Sequence, residues 1–145
     1  MCIVVVLCSC NNRNYERSDY VGVYCYKYLR KKNKSLNYLV LRQDSTYKLV
    51  YVNQADTLVN TGKWYYLPQG DVMRVRLYDW VYLGVVKDIT NIDKMWFMCA
   101  FYESPNLLGF HPDADVDFWR VDSIEAAQLG IKEDSVVWKM NGQKH

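Results

Sequence analysis

The feature that most constrains this chain is period-two alternation, and the stretch "VMRVRLYDW" shows it most cleanly. Met73, Val75 and Leu77 fall on one side and Arg74 and Arg76 on the other, the signature of a strand with one buried and one solvated face. The same alternation returns in "YVGVYCYKY", where Val21, Val23 and Cys25 oppose Tyr20, Tyr24 and Tyr26, with Gly22 open to a close approach or bend. "LNYLVLR" and "TYKLVYV" flank Gln43-Asp44-Ser45, a hairpin-type turn. "TGKWYYL" closes at Pro68-Gln69-Gly70-Asp71, and Thr57 to Val59 are open to extending a strand. "VYLGVV" and "MWFMCAFY" follow on either side of the polar "KDITNIDK", and "DFWRV" is the last clear strand. Turn signals about every 8–12 residues predict an all-β fold, an antiparallel up-and-down barrel or sandwich. Closing such a sheet removes its exposed edges.

One helix is marked. Asp122 and Ser123 supply cap oxygens, Glu125 lies three residues past Asp122, and Gly130 follows "IEAAQL". Two turns cannot stand alone, so this short C-terminal helix is expected to pack across an open end or edge of the barrel through Ile124, Ala127 and Leu129. "VVWKM" is open to a final strand, and 141–145 are expected to fray.

Composition sets the remaining bounds. The 145 residues suffice for one self-supporting core. Thirteen tyrosines and five tryptophans favour strands. A formal charge of +2 without a basic, aromatic-interleaved helix face argues against nucleic acid. No stretch reaches the roughly 18 apolar residues of a membrane-spanning helix.

The opening "MCIVVVLCSC" is apolar and then yields to the polar "NNRNYERSD". Ile3 to Leu7 are shorter than a secretory h-region, which runs about 7–15 residues, and no positive n-region precedes them. Leu7-Cys8-Ser9-Cys10 resembles the bacterial lipobox, in which a leucine lies three residues before a cysteine that receives a diacylglyceryl group and becomes the new N-terminus. The resemblance implies lipid on Cys10, residues 1–9 as a signal-peptide remnant, 10–19 as a flexible tether of at most roughly 30 Å, and a single domain over 20–140. The alternative is a buried edge strand. Acyl chains contribute about 0.8 kcal/mol per buried CH₂, so more than one anchors stably. Of the cysteines that remain after cleavage, Cys25 and Cys99 are open either to a disulfide, which an extracytoplasmic location permits, or to service as small buried apolar residues.

A wider resemblance covers roughly Tyr20 to Tyr78. "VGVY", then "DSTYKLVY" at a hairpin, then "TGKWYY" are similar to small lipocalin-like lipoproteins common in Bacteroidetes. That resemblance implies a lipocalin-like barrel and says little about activity. It departs from true lipocalins, whose Gly-x-Trp lies on the first strand; here Gly62 and Trp64 come several strands later.

Candidate chemistry is sparse. "HPDADVDF" collects His111, Asp113, Asp115 and Asp117, and the three aspartates are a candidate weak metal site. Their spacing opens like an EF-hand loop, but Phe118 and Ile124 stand where that loop needs Gly and Glu; the bland reading is a solvated loop. The two histidines, His111 and His145, support no Ser-His-Asp arrangement, and no phosphate-cradling or zinc-protease motif occurs. Tyr24, Tyr26, Trp64 and Tyr66 are candidate ligand-facing aromatics, with core filling as the alternative. The expectation is therefore a non-enzymatic, monomeric, lipid-anchored lipoprotein of the cell envelope, on the outer membrane, needing no cofactor. A carrier of a small apolar ligand and a periplasmic immunity or inhibitor protein that binds a protein partner are the alternatives.

Overall fold

Side chains point alternately to the two faces of each strand, and in this chain both faces of the first three strands are apolar. The computed structural model shows how both are buried. It describes residues 15–26, 36–52, 56–69, 72–80, 95–101, 105–111 and 114–133. Eight antiparallel strands follow one another around a closed barrel: β1 (Gly22–Tyr26), β2 (Leu36–Leu41), β3 (Thr46–Val52), β4 (Thr57–Gln69), β5 (Val72–Trp80), β6 (Met95–Phe101), β7 (Leu107–His111) and β8 (Ala114–Val121). Closure is made by β1 against β8, with Val23 opposite Val121 and Tyr26 opposite Phe118. Of the two sequence expectations, the barrel is the one formed.

The inward set, Tyr24, Leu39, Leu41, Tyr47, Leu49, Trp64, Val75, Leu77, Leu108 and Phe118, fills the interior. The outward set on β1–β3, including Val23, Cys25, Tyr38, Val40 and Val50, is covered by Ala126 and Ile131 from the C-terminal segment. Helix α1 (Ser123–Gln128) thus lies against the outer wall of the barrel, not across an open end. Ala126 is its buried residue, while Ile124 is 70% exposed and Ala127 faces solvent; only Leu129 of the expected trio packs there. Its caps are as the sequence indicates. Asp122 accepts from the Glu125 amide at 2.8 Å, and Gly130 takes a φ of +73°. The Ile131 and Gly130 amides then return to the Ala126 and Ala127 carbonyls, a Schellman-type stop.

The other differences have physical causes. "TLVN" and "TGKWYYL" are one strand of 13 residues, because β4 pairs with β3 over Thr57–Lys63 and with β5 over Trp64–Gln69. Gly62, near the middle of that strand, lies close against β5 and Tyr47, and a Cβ there would collide with the Tyr78 carbonyl oxygen. In β5 an extra residue between Leu77 and Trp80 forms a bulge, with Asp79 at φ +58°. The bulge shifts the alternation by one place, so Trp80 turns inward with the core. "LLGFH" is a strand that the sequence reading passed over, and the acid-rich "ADVDF" belongs to β8 rather than to a loop. Residues 81–94 and 134–145, hence "VYLGVV", "VVWKM" and the terminal tail, lie outside the described residues.

Candidate functional site

Within the expected 10–19 tether, residues 15–19 carry defined structure. Arg17–Tyr20 form a 3-10 helix with a capping box between Glu16 and Asp19, and Tyr15 packs against the core. This segment lies across one end of the barrel. Tyr20 is buried there, its ring 5.3 Å from that of Tyr66 and 6.3 Å from that of Tyr15. Tyr66 donates to the Tyr15 carbonyl at 2.9 Å, and Tyr24 donates to the carbonyls of Tyr20 and Pro105 at 2.7 and 3.2 Å.

Two arginines complete the closure in the same manner, each placing a guanidinium against an inward aromatic ring. Arg17 sits 4.6 Å from the centroid of Trp64 and donates to Ser45 Oγ at 2.7 Å and the Gln43 carbonyl at 3.2 Å, which ties the N-terminal segment to the β2–β3 turn. Trp64 in turn donates through Nε1 to the Arg42 carbonyl at 2.8 Å. Arg120, opposite Tyr24 in the β1–β8 register, stands 6.0 Å from that ring. It donates to the carbonyls of Asp19, at 2.6 Å, and Val21. Such contacts join cation–π attraction to charge-assisted hydrogen bonds. The sequence reading named neither arginine. The available signal was Arg120 falling on the inward phase after Phe118, opposite a Gly-x-Tyr pair.

The candidate ligand-facing aromatics all lie on the inner face, and they divide into two pairs. Tyr24 and Trp64 are wholly buried, with their polar atoms bonded to backbone carbonyls, and pack in the core. Tyr26 and Tyr66 are half-buried against the same cluster, Tyr26 with its ring 5.8 Å from that of Phe118.

The remaining candidates do not converge. Cys25 is buried. It lies on the outward phase of β1 between Tyr38 and Trp119, whereas Cys99 is on β6 opposite Val75, with β7 and β8 between. At about 4.8 Å per strand that separation far exceeds the reach of a disulfide, about 7 Å between Cα atoms. Asp113 lies outside the described residues. Asp115 and Asp117 are on β8, Asp117 opposite Gly109, and His111 ends β7 opposite Ala114. Among the described residues no three His, Cys, Asp or Glu side chains gather as metal ligands. Cys10 also lies outside the described residues. No protein-family model, no curated protein and no solved structure matches the chain.

Proposed function

We propose that the chain is a non-enzymatic lipoprotein of the cell envelope, held to the membrane by lipid on Cys10, with the barrel serving a binding or envelope-support role. The observation that carries this reading is the position of Leu7-Cys8-Ser9-Cys10 only five residues before Tyr15, the first described residue of the barrel's N-terminal closure. A hydrophobic run ending in a lipobox-like tetrad, directly followed by a folded domain, is the order that lipid anchoring requires. The resemblance of "VGVY", "DSTYKLVY" and "TGKWYY" to lipocalin-like lipoproteins of Bacteroidetes supports the same assignment, and Asn11 and Asn12 after Cys10, with no Asp directly following it, are compatible with an outer-membrane location. The test is the intact mass of the protein from the membrane fraction of its native host. A chain beginning at Cys10 with added acyl mass is expected. A soluble chain that keeps Met1 would overturn the proposal.

A second reading, a carrier of a small apolar ligand, is favoured by one feature of the wall. Away from the closed end, Tyr26, Tyr51 and Leu58 retain partial exposure on the inner face. Native mass spectrometry distinguishes the two readings: a carrier releases a co-purified apolar mass on denaturation, whereas a barrel that only supports or docks does not.

A further inference from the structure

The outer wall of β4 and β5 sets exposed aromatics beside cations. Because Trp64, Tyr66, Val75 and Leu77 face inward, the neighbouring Lys63, Tyr65, Arg74, Arg76 and Tyr78 face outward. Tyr65 is 48% and Tyr78 38% exposed, and Lys63 and Arg74 are exposed as well. Large aromatics left in water do not lower the energy of an isolated domain, and here two stand in edge-to-face contact with centroids 5.3 Å apart. Tyr65 lies opposite Arg76 across the ladder, and Arg76 Nη1 donates to the Tyr78 hydroxyl at 3.3 Å. The outward positions of these two strands, among the described residues, carry three cations and no carboxylate before Asp79 at the bulge.

The patch lies towards the barrel end at which the chain enters. Tyr66, the chain neighbour of Tyr65, holds the Tyr15 carbonyl. Cys10 is five residues before Tyr15, a covalent reach of at most about 18 Å. Resting on the lipid-anchor reading above, we propose that this wall docks on the anionic surface of the anchoring bilayer. The guanidinium and ammonium groups meet lipid phosphates, and the two tyrosines sit at headgroup level. Phenol rings with an apolar body and a polar tip favour that depth, and cations near an anionic leaflet are attracted over about a Debye length. The domain would then lie with one wall on the membrane, with β8 and β1 on the side opposite β4–β5.

The test uses the full chain carrying Cys10→Ser, so that it is unacylated, with vesicles of phosphatidylcholine alone or mixed with phosphatidylglycerol. The apolar opening stretch contributes to both compositions, so the quantity read is the gain on adding the anionic lipid. A clear gain is expected, weakened by added salt. Arg74→Glu should reduce that gain at least about fivefold, and Lys63→Glu with Arg74→Glu at least about tenfold. Lys132→Glu, the same charge change on the helix-bearing wall, should alter it by less than about twofold. Both patch positions are exposed, and near-ultraviolet circular dichroism of the buried tryptophans verifies folding. No anionic gain, or a gain indifferent to Arg74→Glu, overturns the surface even if the native protein proves acylated. An Arg74-dependent gain in a protein whose native form carries no acyl mass keeps the surface and removes the anchor.

Discussion

The guanidinium of Arg120 occupies the space that a side chain on Gly22 would need. A Cβ at that glycine would stand 2.9 Å from Arg120 Nε and 3.0 Å from Nη2. The glycine and the arginine therefore form one device. The missing side chain on β1 lets a cation from β8 reach past it to the carbonyls of Asp19 and Val21 and fix the N-terminal segment over the barrel end. Gly22→Ala should cost about 1–3 kcal/mol, because the displaced group is the bonded head of the arginine rather than a slack side chain. Arg120→Met should cost about 2–3 kcal/mol through two lost charge-assisted hydrogen bonds, and Arg120→Lys should not restore it, since an ammonium lacks the fork that spans two carbonyls. Urea unfolding followed by tryptophan fluorescence reads these differences as shifts in midpoint at constant slope.

A second prediction concerns the bulge of β5. The Tyr47 hydroxyl donates to the Tyr78 carbonyl at 2.8 Å and accepts from Asn60 Nδ2 at 3.1 Å, while Asn60 also donates to the Asp79 carbonyl at 3.0 Å. Two interior side chains thus satisfy the carbonyls that the bulge removes from the ladder. Tyr47→Phe is expected to destabilise by about 1–3 kcal/mol, the cost of a buried carbonyl without its donor. Gly62→Ala should be worse, at about 3 kcal/mol or more, since its Cβ meets backbone that cannot swing aside. Thermal unfolding of both variants gives the comparison, and a Gly62→Ala protein as stable as the parent would contradict the close approach of Gly62 to Tyr78 and Tyr47.

The reading of sequence against structure divides along the same physical line. Alternation in "VMRVRLYDW" and "TYKLVYV" is a local property and led to β5 and β3 directly, as did the capping residues Asp122 and Gly130 for α1. Joining "TLVN" to "TGKWYY" depends on which neighbours each half meets, and that is decided by barrel closure, not by residues nearby. The helix face was misjudged because Val23, Val40 and Val50 make the outer wall apolar as well. The helix had an outer wall to cover, and Ala126 rather than Ala127 turned to it. Arg17 carries no periodic signal, and the inward phase of Arg120 acquires meaning only once the pairing of β1 with β8 places it beside Gly22. The aspartates of "HPDADVDF" looked like a loop because their charge outweighed the alternation of Val116 and Phe118 in the same segment.

Tyrosine titration offers a third prediction. Burial raises the hydroxyls of Tyr20, Tyr38, Tyr47 and Tyr66 above their ordinary value, with neighbouring acidic groups adding to the effect. Tyr38 is pushed up to about 12. The folded chain holds these protons more tightly than the unfolded chain, where tyrosine titrates near pH 10. Their contribution to stability is therefore fully present below about pH 10 and is lost as pH climbs from there through the folded values. Tyrosinate absorbance should show Tyr20, Tyr38 and Tyr47 ionising only together with, or after, loss of tertiary signal, and the unfolding midpoint in urea should fall steadily above about pH 10. Ionisation of all the tyrosines near the ordinary value, with the fold intact, would contradict the burial described for the closed end.

The last prediction links that titration to the C-terminal segment. Glu133, buried on the outer wall beyond α1, receives Lys48 Nζ at 2.7 Å and Arg42 Nη2 at 3.2 Å, and its charge acts on the Tyr38 hydroxyl. One carboxylate thereby clasps the segment after the helix to β2 and β3. Removing one partner of a fully buried ion pair costs about 3–5 kcal/mol, but the side chains of Arg42 and Lys48 remain 22% and 28% exposed and can recover water. Glu133→Gln should therefore cost only about 1–2 kcal/mol, and Lys48→Met less, because Arg42 still neutralises the carboxylate. The charge on Glu133 is also the second cause, after burial, of the raised Tyr38 hydroxyl. Glu133→Gln should consequently lower the Tyr38 value towards the ordinary one while leaving Tyr47, whose shift arises from burial, in place. Paired with Tyr38→Phe in a double-mutant cycle, Glu133→Gln should show a coupling of about 1 kcal/mol. A coupling near zero with an unmoved Tyr38 titration would mean that the Tyr38 hydroxyl has no part in holding Glu133.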